Sequence, residues 1–124
     1  MIELAILDAS DHFTGAAVFF NQSAGGGSVL VNLYLDTDDP GEVARAAEVA
    51  LEAIWETVTF KPVSVDVAFA ATEKPDDPTR MEFNAMDPLP IGEILALDGS
   101  YVVRQLLMIP GGTLAHRFGD WRHP

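Results

Sequence analysis

The segment Asp38-Asp39-Pro40-Gly41-Glu42 constrains the fold more than any other part of the chain, because it carries three helix-start signals in five residues. Asp39 suits the cap, Pro40 the first helical position, and Glu42 the place from which a capping-box carboxylate reaches back. The residues that follow keep a helical period. At about 100° per residue, Val43, Ala47, Ala50, Leu51, Ile54 and Val58 fall within one arc, with Arg45, Glu48, Glu52 and Glu56 opposite. An amphipathic helix over about 40–59 follows, ended by Lys61-Pro62, and its apolar stripe requires a sheet or another helix to cover it.

Both flanks of this helix read as strands. From Ser28 to Asp36, Val29, Val31, Leu33 and Leu35 alternate with Leu30, Asn32 and Tyr34, and from Val63 to Ala71 the valines and Phe69 alternate with Ser64, Asp66, Ala68 and Ala70. Ile2–Asp8 and Thr14–Phe20 read as two further strands, parted by Ala9-Ser10-Asp11-His12. With Asn21 to Gly27 as a turn, an antiparallel three-stranded meander is the simplest start. Four prolines break the stretch from Thr72 to Gly92 into a long loop, in which Arg80–Met86 allows a short edge strand. Asp98-Gly99 predicts a tight hairpin between Glu93–Leu97 and Ser100–Ile109, with a short helix over 91–97 as the competing reading.

The expected architecture is therefore α+β, a mainly antiparallel sheet of five to six strands with one long helix on one face, in the order β-β-β-α-β-(long loop)-β-β. At 124 residues and 13.4 kDa one core is expected, in a single domain over 1–110, with Pro110-Gly111-Gly112 setting off a tail over 111–124. One helix leaves the second face of the sheet to the long loop, the tail or another subunit. Leu30, Tyr34, Ala68 and Ala70 on that face are mild enough to meet a second copy, which makes a homodimer the expectation.

Charge and composition narrow the function classes. Seven basic against 19 acidic residues give a net charge of −12, a field that repels phosphate backbones and anionic lipid surfaces. No nucleic-acid or membrane partner is expected; the composition reads first as coding bias in a GC-rich genome, with a protein partner of basic surface as the alternative. The absence of cysteine removes disulfides, thiolate metal sites and cysteine nucleophiles. Apolar runs such as Ala16–Phe20 fall far short of a membrane span, and Met1-Ile2-Glu3-Leu4 lacks the basic opening of a secretory signal, which makes a cytoplasmic location the default expectation.

Candidate chemistry is thin. Asp8, Ser10, Asp11 and His12 place carboxylates, a hydroxyl and an imidazole together, but neighbours on an extended chain point to opposite faces, and these residue types favour turns. Asp36, Asp38, Asp39 and Glu42 are oxygen-rich but lack the glycine and spacing of a calcium loop. Gly25-Gly26-Gly27 leads into a strand, not into the helix N-terminus that a phosphate cradle needs. No catalytic residue, metal site or cofactor is assigned. A small-ligand pocket between the sheet and the 72–92 loop is the alternative to a purely associating protein, with Met81, Phe83 and Met86 as walls and Asp8, His12 or Asp66 as polar groups. The tail carries a charge of +1 beside a body of −13, so Arg117, Phe118, Trp121 and Arg122 form a candidate docking element for self, a neighbouring copy or another protein. The expected function is non-enzymatic association as an accessory, assembly or inhibitor subunit.

Overall fold

The computed structural model describes residues 2–23, 26–71, 76, 99–103 and 106–121. Helix α1 (Ile2–Ala9) leads into strands β1 (Phe13–Ser23) and β2 (Gly26–Leu35), helix α2 (Pro40–Thr57) and strand β3 (Pro62–Ala70). Strands β4 (Tyr101–Val103) and β5 (Leu106–Pro110) and helix α3 (Gly111–Phe118) follow. The five strands form one mixed sheet in the order β1-β2-β3-β5-β4, so the fold is α+β.

Helix α2 begins where the sequence places it. The Asp39 carboxylate accepts from the Glu42 backbone N–H at 3.0 Å, and Pro40 opens the helix. The reciprocal half of the capping box does not form: the Glu42 carboxylate instead accepts from the Thr37 hydroxyl, which itself accepts from the Asp39 N–H. Seven residues of α2, from Val43 to Trp55, are buried against the sheet. Each large apolar side chain buried there contributes on the order of 1.5–3 kcal/mol. Val29, Val31, Leu33 and Leu35 of β2 and Val65, Val67 and Phe69 of β3 form the facing layer.

Several expectations are corrected. Ile2–Asp8 is helix rather than strand: Ile2 and Ile6, four apart, turn to the core, and the leucines and alanines around them favour a helix. The turn at Asp11 and His12 accordingly joins a helix to a strand, and no three-stranded meander forms. Strands β1 and β2 form a hairpin paired from Phe13↔Leu35 to Ser23↔Gly26. A bulge between Phe13 and Gly15 returns Phe13 to the helix-covered face, where it joins the core. Strand β3 lies parallel to β2, since an 18-residue helix carries the chain back to the same end of the sheet, so the sheet is mixed, with its other three pairings antiparallel as expected.

Ser100–Ile109 holds two short antiparallel strands, β4 and β5, instead of one. Between the two strands the sequence has Arg104-Gln105, with no glycine or asparagine to advertise a hairpin. The readings for 80–86 and 91–97 lie outside the described residues. Pro110-Gly111-Gly112, read as a break, instead starts α3, with Pro110 as its cap residue. A Cβ on Gly111 would stand 2.4 Å from the Pro62 carbonyl oxygen, so only glycine lets α3 approach β3 this closely.

The second face of the sheet also departs from expectation. Tyr34, Ala68 and Ala70 are buried within the single chain, together with Ala17 and Asn32, and Phe19 and Leu106 pack against them. They are therefore not a free surface for a second copy.

Candidate functional site

Two features stand out among the described residues: a bracketed histidine and an apolar cleft. His12 sits at the turn between α1 and β1, where its backbone N–H donates to the Ser10 hydroxyl and its carbonyl accepts from the Asp36 N–H. This pairing brings the end of β2 alongside and places the imidazole between two carboxylates. Nδ1 lies 2.9 Å from Asp36 Oδ1 and Nε2 lies 3.0 Å from Glu42 Oε2. A ring whose two nitrogens both meet carboxylates is satisfied only when both carry protons. The hydrogen bond to Asp36 raises the His12 pKa above its ordinary value, burial opposes this, and the charge of Glu42 adds to it.

The sequence grouped His12 with Asp8 and Asp11, and Asp36 with Glu42, as separate clusters. The fold takes one member from the first and two from the second, while Asp8 and Asp11 are exposed. Because the two nitrogens face different carboxylates, the arrangement is a bracket and not a ligand set. Among the described residues no group of three has metal-binding geometry.

Asp66 stands apart from this cluster, on β3 between Leu30 of β2 and Met108 of β5, on the face away from the helices. Burial raises its pKa and a hydrogen bond with Ser64 partly opposes the rise. Its Oδ1 has no hydrogen-bond partner among the described residues, and neither has Nδ2 of Asn32 on the neighbouring strand. Asp8, His12 and Asp66 thus do not converge on one pocket. Met81, Phe83 and Met86, and with them the pocket proposed between the sheet and the 72–92 loop, lie outside the described residues, as does Arg122.

The remaining tail residues pack on their own domain. Phe118 and Trp121 lie against the main core, Arg117 pairs with Glu48 of α2, and the Trp55 indole N–H donates to the Gly119 carbonyl at 2.8 Å. Glu48, on the side of α2 opposite its apolar arc in the sequence reading, thus joins a contact between helices.

The apolar cleft is the feature that sequence reasoning missed. Ile2, Glu3 and Leu4 of α1, Val18 and Phe20 of β1, and Thr57 and Thr59 line a space of about 510 Å³. Leu4 is 57% and Phe20 52% exposed, and Phe20 meets Phe60 edge-on at 5.9 Å between ring centres. The cleft opens beside β1, which is the first strand in the sheet order and among the described residues has β2 as its one neighbouring strand. Across its 11 residues β1 has neither an ionisable side chain nor a proline, the usual guards of an edge strand. That absence was readable in the sequence, but only the sheet order identifies β1 as an edge.

Among the described residues no helix is long and apolar enough to cross a membrane. Comparison of the chain with family models, curated proteins and solved structures gives no match, so the functional argument rests on this geometry.

Proposed function

We propose that the chain is a non-enzymatic protein that acts by protein–protein association, as an accessory or assembly subunit, through the flank formed by α1 and β1. The observation that carries this reading is the open apolar cleft lined by Leu4 and Phe20, beside the part of β1 where Phe20 and Asn21 are exposed. An open apolar cleft with exposed side chains at its rim suits an apolar anchor of another chain. The bracketed His12 supports the same reading from the other side: both nitrogens are held by carboxylates, which leaves neither poised as a base.

Small-ligand binding is the second reading, because the cleft volume falls within the range of about 300–1,000 Å³ common to such sites. Native mass spectrometry of the gently purified chain and of Phe20→Lys separates the two. A protein complex lost on the exchange supports association. A small mass carried by a single chain and lost on the exchange supports ligand binding instead.

A further inference from the structure

We infer that Asn32 and Asp66, on the face of the sheet away from the helices, form a binding site for a small neutral molecule that carries a carbonyl and an N–H side by side on one edge. The register sets Leu30 beside Asp66 and Asn32 beside Ala68, so the two polar residues are diagonal neighbours on β2 and β3, with Cα atoms about 8 Å apart. Asn32 is 1% exposed, and neither its Nδ2 nor the buried Oδ1 of Asp66 has a hydrogen-bond partner among the described residues. A buried donor and a buried acceptor left unpaired cost the free fold stability, and a ligand that supplies both partners recovers it.

The surroundings give the site an open and a closed end. Level with Asp66, the side chains of Phe19, Leu30 and Met108 are partly exposed. Level with Asn32, Ala17 and Ala68 are buried, and their short side chains flank the amide with methyl groups alone. Entry therefore runs past Asp66 toward Asn32, between apolar walls and two polar anchors.

The two anchors select the chemistry. Nδ2 of Asn32 only donates, while the Asp66 carboxylate only accepts. An ammonium group would suit Asp66 but leave the Asn32 donor facing a cation, and an anion would meet Asp66 on a chain of net charge −12. A trans peptide group holds its carbonyl and N–H on opposite sides, so the backbone of another chain does not match either. A lactam, a primary amide or a nucleobase offers both groups on one edge. The site is separate from the cleft, because Val18 and Phe20 pair with Val31 and Val29 on the helix-covered face, so the two readings stand or fall independently.

The reporter is the side-chain amide of Asn32 in nitrogen–proton NMR spectra, identified by its loss in Asn32→Ala. The probes are pyrrolidinone and uracil, each beside its fully N-methylated form, which keeps the carbonyl and lacks the N–H. The native chain is expected to bind one or both probes saturably with movement of the Asn32 amide, and the methylated forms at least about tenfold more weakly. Pyrrolidinone alone narrows the class to aliphatic amides, and uracil alone to nucleobases. Asp66→Val is expected to weaken probe binding at least about tenfold and, by removing an unpaired buried acceptor, to raise the thermal midpoint of the free protein by a few degrees. Should that variant not fold, Asn32→Ala carries the same tenfold expectation, read from the probe-induced shift in thermal midpoint. Phe20→Lys, on the other face, is expected to bind the probes as the native chain does. No saturable response to either probe, methylated forms that bind as tightly, or undiminished binding in Asp66→Val overturns the site. A fall in the midpoint of Asp66→Val overturns it too, because the carboxyl would then serve the fold.

Discussion

The two ends of the helical layer close over the sheet to different degrees. Helix α3 has only eight residues, yet it buries Leu114 completely, seats Gly111 against the start of β3 and is followed by a carbonyl that accepts the Trp55 indole. Helix α1, also eight residues long, buries Ile6 but leaves Leu4 and Leu7 outside and an open cleft over β1. Length and apolar content do not explain the contrast, since α1 is the more apolar of the two. The difference lies in what each helix meets. Both helices meet α2, but α3 also meets two strands, β3 and β5, and is held by polar contacts at its end, while α1 meets the single strand β1 at the margin of the sheet. Apolar surface left at a margin is where association costs least, because it is already exposed to water.

Substitutions at the closed end should cost stability and those at the open end should not. The largest effect is expected from Leu114→Ala, where deleting a fully buried side chain removes about 2–5 kcal/mol, read from denaturant midpoints. Gly111→Ala follows: a methyl group cannot share space with the Pro62 carbonyl, and the shift needed to admit it should cost about 1–3 kcal/mol. A loss below the usual scatter of surface substitutions, about 0.5 kcal/mol, would mean that α3 does not sit tightly on β3.

The bracket at His12 should give a smaller, pH-dependent effect. Its folded pKa is raised, so its stabilising contribution is complete below the unfolded value of 6.5 and is lost as pH rises through the folded value. Thermal midpoints of the native chain should therefore fall on this limb relative to those of His12→Gln, in which the titration is gone. Parallel curves for the two proteins across that window would show that the bracket does not form in solution. The smallest stability effect is expected at the open end. Leu4→Ser should change the unfolding free energy of dilute protein by no more than about 0.5 kcal/mol, and a loss of several times that would place α1 among the closed elements.

How much of this was legible in the sequence varied with the source of each signal. Helix α2 and strands β2 and β3 were readable because capping, proline and period agree locally. Helix α1 was not, since Ile2-Glu3-Leu4-Ala5-Ile6-Leu7 is apolar at nearly every position and so supports either period. Helix α3 was hidden by Pro110-Gly111-Gly112, whose glycine answers a close approach to β3 that no local pattern reveals. The parallel pairing of β2 with β3 was implied by the intervening helix, but the short connections on either side favoured the antiparallel reading. His12 was singled out, although its partners lie 24 and 30 positions away, Asp36 in an oxygen-rich cluster without the spacing of a metal loop and Glu42 assigned to capping. The cleft left no local trace, because whether Phe20 ends at a margin or in the middle of a sheet is decided by strand order.

The hydrogen bond between Trp55 and Gly119 also determines what light can report about this molecule. The chain has two tryptophans, Trp55 and Trp121, and both pack where α3 meets the core. Their ultraviolet emission is thus a built-in gauge of that one corner. It should redden when α3 lifts and stay nearly silent to events at β1, so a fluorescence trace and a mass measurement on the same sample would follow opposite ends of the protein independently.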